Sequence, residues 1–244
     1  MKIIADDLGL AGSVNDGIVF LLKNNKIDGA SLMANGEAFN DAIEKTREFK
    51  DKIGIHFVLV EEKSVFNGAW LEKNYKQFFL KYCSGLIKIK DIENELRAQI
   101  EKVKNAGLTP VFINSHQHLH LLPGVIDIVI RIARESGIKY VRLVKEPIHG
   151  RGKLFRKFQL VFLGLLSYLA KRKLIRAGLI FNDVFLGFID AGNLNQEDID
   201  LAKSINGGMV ELGCHPGFGD EELKKKYNHW GNYNWKKELD LLSQ

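Results

Sequence analysis

Short β-like runs alternate with helical patterns almost from end to end, and that alternation constrains the fold more than any other feature of the 244 residues. "KIIA" (2–5) reads as a strand and "SVNDGIVFLLKNN" (13–25) as a helix with Ser13 at its N-cap. "GASLMAN" (29–35) precedes the helical "EAFNDAIEKTREFK" (37–50), and "KIGIHFVLV" (52–60) is a third strand. The helix "DIENELRAQIEKVKNAG" (91–107) leads to "PVFIN" (110–114), then to the helix "GVIDIVIRIARESG" (124–137) and the strand "KYVRLV" (139–144). "LIFNDVFLGF" (179–188), a short helix near 196–204 and "GMVELGCH" (208–215) complete the series. Such alternation implies parallel strands joined by crossover helices. No Gly-x-Gly-x-x-Gly follows the first strand and no P-loop lysine motif occurs, which counts against nucleotide-binding folds. About seven strands in this length predict an α/β fold of the (β/α) barrel-like type, a distorted TIM-type barrel. With no low-complexity linker and no internal repeat, residues 1–244 read as one domain.

Composition narrows the setting. A hydrophobic share of 45% is enough for a substantial core. The two cysteines, Cys83 and Cys214, have no metal-finger spacing and suggest a reducing compartment. Asp6 and Asp7 interrupt any signal-peptide pattern at once, so the expected location is the cytoplasm. The net charge of +5 is local in origin: residues 151–176 hold eight Lys or Arg and no acid, leaving −3 for the rest. A nucleic-acid partner is therefore not expected, since that would call for a basic face.

The polar outliers collect where a barrel builds its active site, at the ends of the strands. Asp6 and Asp7 follow the first strand, Asn35 the second, and His56 lies in the third. His116, His118 and His120 follow the fourth and alternate as strand side chains would; Arg142 is in the fifth, and His215 follows the last. Singly, a strand-end Asp is an ordinary N-cap and His56 an ordinary core histidine. Together they suggest a shared site. Two imidazoles and a carboxylate suit a divalent ion and leave positions open for water and substrate. Adjacent carboxylates on an extended segment point to opposite sides, so one can bind an ion while the other accepts a proton. That is an arrangement for hydrolysing an amide or ester. His215 is the candidate acid for a departing amine.

In order along the chain, "ADDLGLAGSVNDGI", "SLMAN", "GIHFVL", "SHQHLHLLPGV", "YVRLVKEP" and "ELGCHPGFGDEEL" resemble the successive motifs of the YdjC-like carbohydrate deacetylases. That family includes chitooligosaccharide deacetylases and the HpnK-like proteins. The resemblance runs from residue 3 to about residue 240 and implies a barrel-like fold and removal of N-acetyl groups from acetylated sugars. It makes Asp7, His56 and His116 the metal ligands, Asp6 the general base and His215 the acid. Asn35, His118, His120 and Arg142 become substrate-pocket residues, the histidines also orienting ligands. Relatives are usually described with Mg²⁺, whereas the ligand types favour Zn²⁺. Two departures stand out: Asn114 occupies a position where the family commonly has Asp, and "ELDLLSQ" ends where relatives continue through a strand-like segment, leaving barrel closure open on that side.

Within the basic segment, "FQLVFLGLLSYLA" (158–170) is too short to cross a bilayer, which takes about 20 residues. Arg151, Lys153, Arg156 and Lys157 precede it; Lys171, Arg172, Lys173 and Arg176 follow. It reads either as a crossover helix with solvated ends or as an interfacial helix making a peripheral contact with anionic membrane through 151–176. A homodimer is also left open. The rival functions are a phosphoesterase or glycosidase on a similar barrel, or a non-catalytic sugar- or lipid-binding protein. A glycosidase wants carboxylates at least about 5 Å apart across the bond, for which adjacent aspartates are poorly placed.

Overall fold

The computed structural model describes residues 1–148, 154–231 and 233–244. Its strands are β1 (Lys2–Leu8), β2 (Gly29–Leu32), β3 (Ile53–Phe57), β4 (Phe112–Ser115), β5 (Tyr140–Val141), β6 (Val184–Leu186) and β7 (Val210–Cys214). They form one sheet in the order β5-β4-β3-β2-β1-β7-β6, every pair parallel. Every residue of β2, β3, β4 and β7 is buried, as expected when helices cover a parallel sheet.

The crossovers supply that cover: α1 (Gly12–Lys23), α2 (Phe39–Lys45), α3 (Tyr75–Cys83), α4 (Ile89–Asn105), α5 (Val125–Glu135), α6 (Leu154–Arg176) and α7 (Gln196–Ser204). Helix α1 buries Val14, Ile18, Leu21 and Leu22, and α4 buries Ile92, Leu96, Ile100 and Val103, each a stripe at helical spacing. Near the C-terminus come α8 (Glu221–Lys226) and α9 (Trp235–Ser243), the latter packed against α1 with Trp235 buried.

Arg142, just past β5, shows how far the sheet curls. Its guanidinium donates to Asp6 of β1 (Nη2 to Oδ1, 3.0 Å) and to Glu211 of β7. In a flat sheet β5 and β1 would stand four strands apart, about 19 Å at the usual spacing. The contact therefore requires a barrel-like curve with β5 facing β1 and β7 across the interior. Between the edge strands, Ile180 bridges Tyr140 in parallel and the Phe185 N–H donates to the Lys145 carbonyl at 3.0 Å. The Asn182 amide fills in for a strand there, accepting from the Leu143 N–H (2.7 Å) and donating to the Leu143 carbonyl (2.8 Å). The edges β5 and β6 are thus linked in mid-chain without pairing as strands, and Trp235–Ser243 form helix α9.

Several expectations shift in detail. The strands read at 139–144 and 179–188 shrink to two and three residues, because side-chain and isolated backbone bonds replace a regular ladder there. Helices α3, α8 and α9 were not anticipated; each starts at a capping residue, Asn74, Asp220 or Asn234, whose side chain accepts from backbone N–H groups. The histidine run is no strand. β4 stops at Ser115, and His116–Leu121 forms a tight turn with Gln117 and His118 at φ 54° and 56°. Of the basic segment, 154–176 is helix α6; Arg151 and Lys153 lie outside the described residues.

Candidate active site

Asp6 and Asp7 diverge because β1 is irregular there. The β1–β2 register shifts between Ala5 and Leu8, and Asp7 takes φ 65°, a left-handed conformation that Asp tolerates better than most residues. Five non-glycine residues among those described have positive φ, and four of them, Asp7, Glu61, Gln117 and His118, belong to this site. Strained backbone concentrated in one place marks a candidate functional centre.

The Asp6 carboxylate is fully committed to partners. Its Oδ1 accepts from Ser31 Oγ (2.8 Å), Asn114 Nδ2 (2.8 Å) and Arg142 Nη2 (3.0 Å), and its Oδ2 accepts from Arg142 Nη1. Burial works to raise its pKa, but the Arg142 charge and then His56 hold the carboxyl well below the usual range. The Arg142 side chain is completely buried and bonded also to Glu211.

Asn114 settles the tautomer of His56. His56 Nδ1 lies 2.7 Å from Asn114 Oδ1, while Asn114 Nδ2 faces the Asp6 carboxylate. A carboxylate only accepts, so the amide must turn its NH₂ toward Asp6 and its oxygen toward His56. His56 therefore carries a proton on Nδ1, and neutral His56 presents a lone pair on Nε2. That atom sits 3.3 Å from Asp7 Oδ1, and both are buried without a hydrogen-bond partner.

His116 completes the group, with Nδ1 3.4 Å from Asp7 Oδ1 and Nε2 3.1 Å from Glu61 Oε2. One ligand atom from each of Asp7, His56 and His116 lies within 4.8 Å of the others. Ligands about 2.1 Å from a tetrahedral ion are about 3.4 Å apart, close to the two distances from Asp7. Each histidine also directs its other nitrogen to an oxygen, Asn114 or Glu61, as metal-binding histidines do. The residues fit a divalent ion. Burial opposes a charged His116, yet the carboxylates of Asp7 and Glu61, one beside each ring nitrogen, push its pKa up to about 10. Burial likewise raises Asp7 and Glu61, and their histidine partners bring both below the ordinary carboxylate range.

A cavity of about 660 Å³ opens over this group, a size suited to a small-molecule ligand. Asp6, His56, His116, His118 and His215 line it, together with Trp230 and Tyr233. His215 follows β7; its backbone N–H donates to Glu238, and its Nδ1 is buried without a hydrogen-bond partner, 3.9 Å from the Glu238 carboxylate. His118 meets the rings of Phe185 and Phe188, and burial, then the Arg142 charge, holds its pKa well below the imidazole range.

The remaining expected pocket residues stand elsewhere. His120 is fully buried between Ser115 Oγ (2.6 Å) and the Arg142 carbonyl (2.9 Å), and burial lowers its pKa to about 4. Arg142 and His120 form the wall behind the site and do not line the cavity. Asn35 donates to the Lys63 carbonyl and does not line it either. Glu61, Trp230 and Tyr233 escaped the sequence reading. Glu61 accepts from Trp230 Nε1 (2.7 Å) besides meeting His116. The signals were an acid four residues past β3 and the aromatic run "YNHWGNYNW" (227–235).

Known proteins bear on this arrangement. The sequence matches the family described as YdjC-like protein over residues 2–244. A carbohydrate deacetylase of Oceanobacillus iheyensis is 27% identical, the match covering 99% of this chain and 95% of that one. A carbohydrate deacetylase of Clostridium beijerinckii is 29% identical over 98% of this chain and 89% of that one. A solved structure from Enterococcus faecalis, described as a cellobiose-phosphate cleavage protein, shares the fold with a TM-score of 0.72 at 20% identity, covering 100% of this chain and 90% of that one. With residues 2–244 matched, the chain belongs to the YdjC-like protein family.

Proposed function

We propose that this protein, as one domain over residues 1–244, is a metal-dependent hydrolase that removes the N-acetyl group from an acetylated amino sugar in the cytoplasm. The carrying observation is the pair of buried, unpartnered acceptors His56 Nε2 and Asp7 Oδ1, 3.3 Å apart beside His116, with His56 and His116 lining the cavity. Two lone pairs so placed repel each other unless a cation lies between them. The curated relatives, named carbohydrate deacetylases, support an acetylated carbohydrate as substrate.

Asp7, His56 and His116 would hold the ion; the ligand types favour Zn²⁺ and the family resemblance Mg²⁺. When bound, a divalent ion there supplies a Lewis acid that acidifies water and polarises an amide carbonyl. Asp6 stays ionised, held by Arg142, Ser31 and Asn114, and accepts the proton of the attacking water. His215 delivers a proton to the departing amine, its imidazolium supported by Glu238. Trp230 and Tyr233 offer apolar faces for a sugar ring, and Arg142 and His120 fix the acids and histidines from behind. A panel of N-acetylated mono- and oligosaccharides scored for released acetate tests the reading. Acetate from at least one amino sugar is expected; none from any, with the protein metal-loaded, contradicts it.

A further inference from the structure

Helix α6 has two apolar faces. Leu160, Leu166, Ser167, Ala170 and Leu174 are buried against the barrel, while Phe155, Phe158, Val161, Phe162, Leu165 and Leu169 are exposed. At 3.6 residues per turn the exposed set falls in one arc of roughly 120° that adjoins but does not overlap the arc of the buried set. Phe158 is 66% and Leu165 55% exposed, far more apolar surface in one place than scattered surface residues give. Helix α3 extends the face: Phe79 meets Phe162 edge-on at 5.8 Å, Tyr75 accepts from Gln159, and Lys76 lies over Phe155.

Charge decides what covers this face. From Phe158 to Leu169 no residue is charged, and α6 holds no acid; Lys157 stands at one end and Lys171, Arg172 and Arg176 at the other, while Arg156 turns inward onto the Phe188 carbonyl and ring. A second copy docking by the same face would bring together helix ends whose own charges are all cationic. An anionic lipid surface complements the ends and accepts the apolar arc between them. Among the described residues no helix is long and apolar enough to cross a membrane, so α6 would lie along the surface. The cavity opens beside it, since Asn74, Tyr75 and Lys76 at the start of α3 and Arg156 of α6 line its wall.

We propose that the α3–α6 face docks on anionic membrane and sets the cavity mouth at the lipid–water boundary. The substrate class this implies, an N-acetylated sugar carried on a lipid, rests on the deacetylase reading; the docking does not. Co-sedimentation of the full chain with phosphatidylglycerol-containing vesicles and with neutral phosphatidylcholine vesicles tests it without using activity. Binding to the anionic vesicles alone is expected, weakening as salt shortens the screening length to about 8 Å and below. Replacing Lys171, Arg172 and Arg176 by Gln should lower partitioning roughly a hundredfold, at about 1 kcal/mol per charge. Phe158→Ser with Leu165→Ser should abolish it while leaving acetate release from a soluble acetylated sugar unchanged. No sedimentation with anionic vesicles at low salt overturns the proposal. So does binding indifferent to these substitutions, or light scattering that shows a dimer lost in Phe158→Ser/Leu165→Ser without vesicle binding.

Discussion

The Asp6 carboxylate accepts hydrogen bonds from three side chains, whereas Asp7, the next residue, leaves one oxygen bare and facing two imidazoles. The division follows from what each carboxylate meets: a guanidinium, an amide and a hydroxyl for Asp6, and the ring nitrogens of His56 and His116 for Asp7. Asp6→Asn should therefore keep one ion per chain and lose 10²–10⁴-fold in turnover, roughly the worth of a general base. Metal analysis beside acetate release checks this, and retained turnover would move the base to another group, His118 first. Arg142 is the counter-charge for both Asp6 and Glu211, and all three side chains are buried. Arg142→Met should cost about 3–5 kcal/mol, because it strands buried carboxylates. Urea midpoints measure it; a loss below about 1 kcal/mol would show that the carboxylates find other partners. Asn114 belongs to the same scale. Its two-ended amide donates to Asp6 and accepts from His56, which an Asp at that position could not do at once.

Among the elements, the strands were legible in the sequence because parallel strands covered on both faces read as apolar runs, as "GIHF" and "VFIN" do. What alternation could not show was irregular backbone. The spacing of His116, His118 and His120 imitates a strand, yet two left-handed residues fold it into a turn that sends His116 and His118 to the cavity wall and His120 behind it. The divergence of Asp6 and Asp7 likewise comes from a register shift and not from regular pleating. The exposed arc of α6 was legible only as hydrophobicity, since sequence does not say which side of an all-apolar helix is covered. Close element packing leaves its own trace in α1. A Cβ on Gly17 would stand 2.6 Å from the Gly217 Cα, backbone that cannot swing aside. Gly17→Ala should thus destabilise by about 1–3 kcal/mol despite the better helix propensity of alanine. A thermal or urea midpoint at or above that of the parent chain would show that α1 does not press on that loop.

At the scale of the whole molecule, the curl of the sheet makes the site. β1, β3, β4 and β7 bring Asp6, Asp7, His56, His116 and His215 to one end, although they span positions 6 to 215 of the chain. The fold class and this convergence were readable from strand-end chemistry, since residues after parallel strands share one face of a barrel. The partners across the interior were not: Glu61, Trp230 and Tyr233 sit in loops whose approach depends on long connections after β3 and β7. The account rests on Asp7, His56 and His116 holding one ion that the hydrolysis requires. Acetate release from an N-acetylated oligosaccharide by chelator-stripped protein, titrated with Zn²⁺ or Mg²⁺, tests it most directly. Turnover should vanish on stripping and return at one ion per chain in the parent, while His116→Ala stays inactive at that ratio. Full turnover in the stripped protein, or full recovery of His116→Ala at one equivalent, would contradict it.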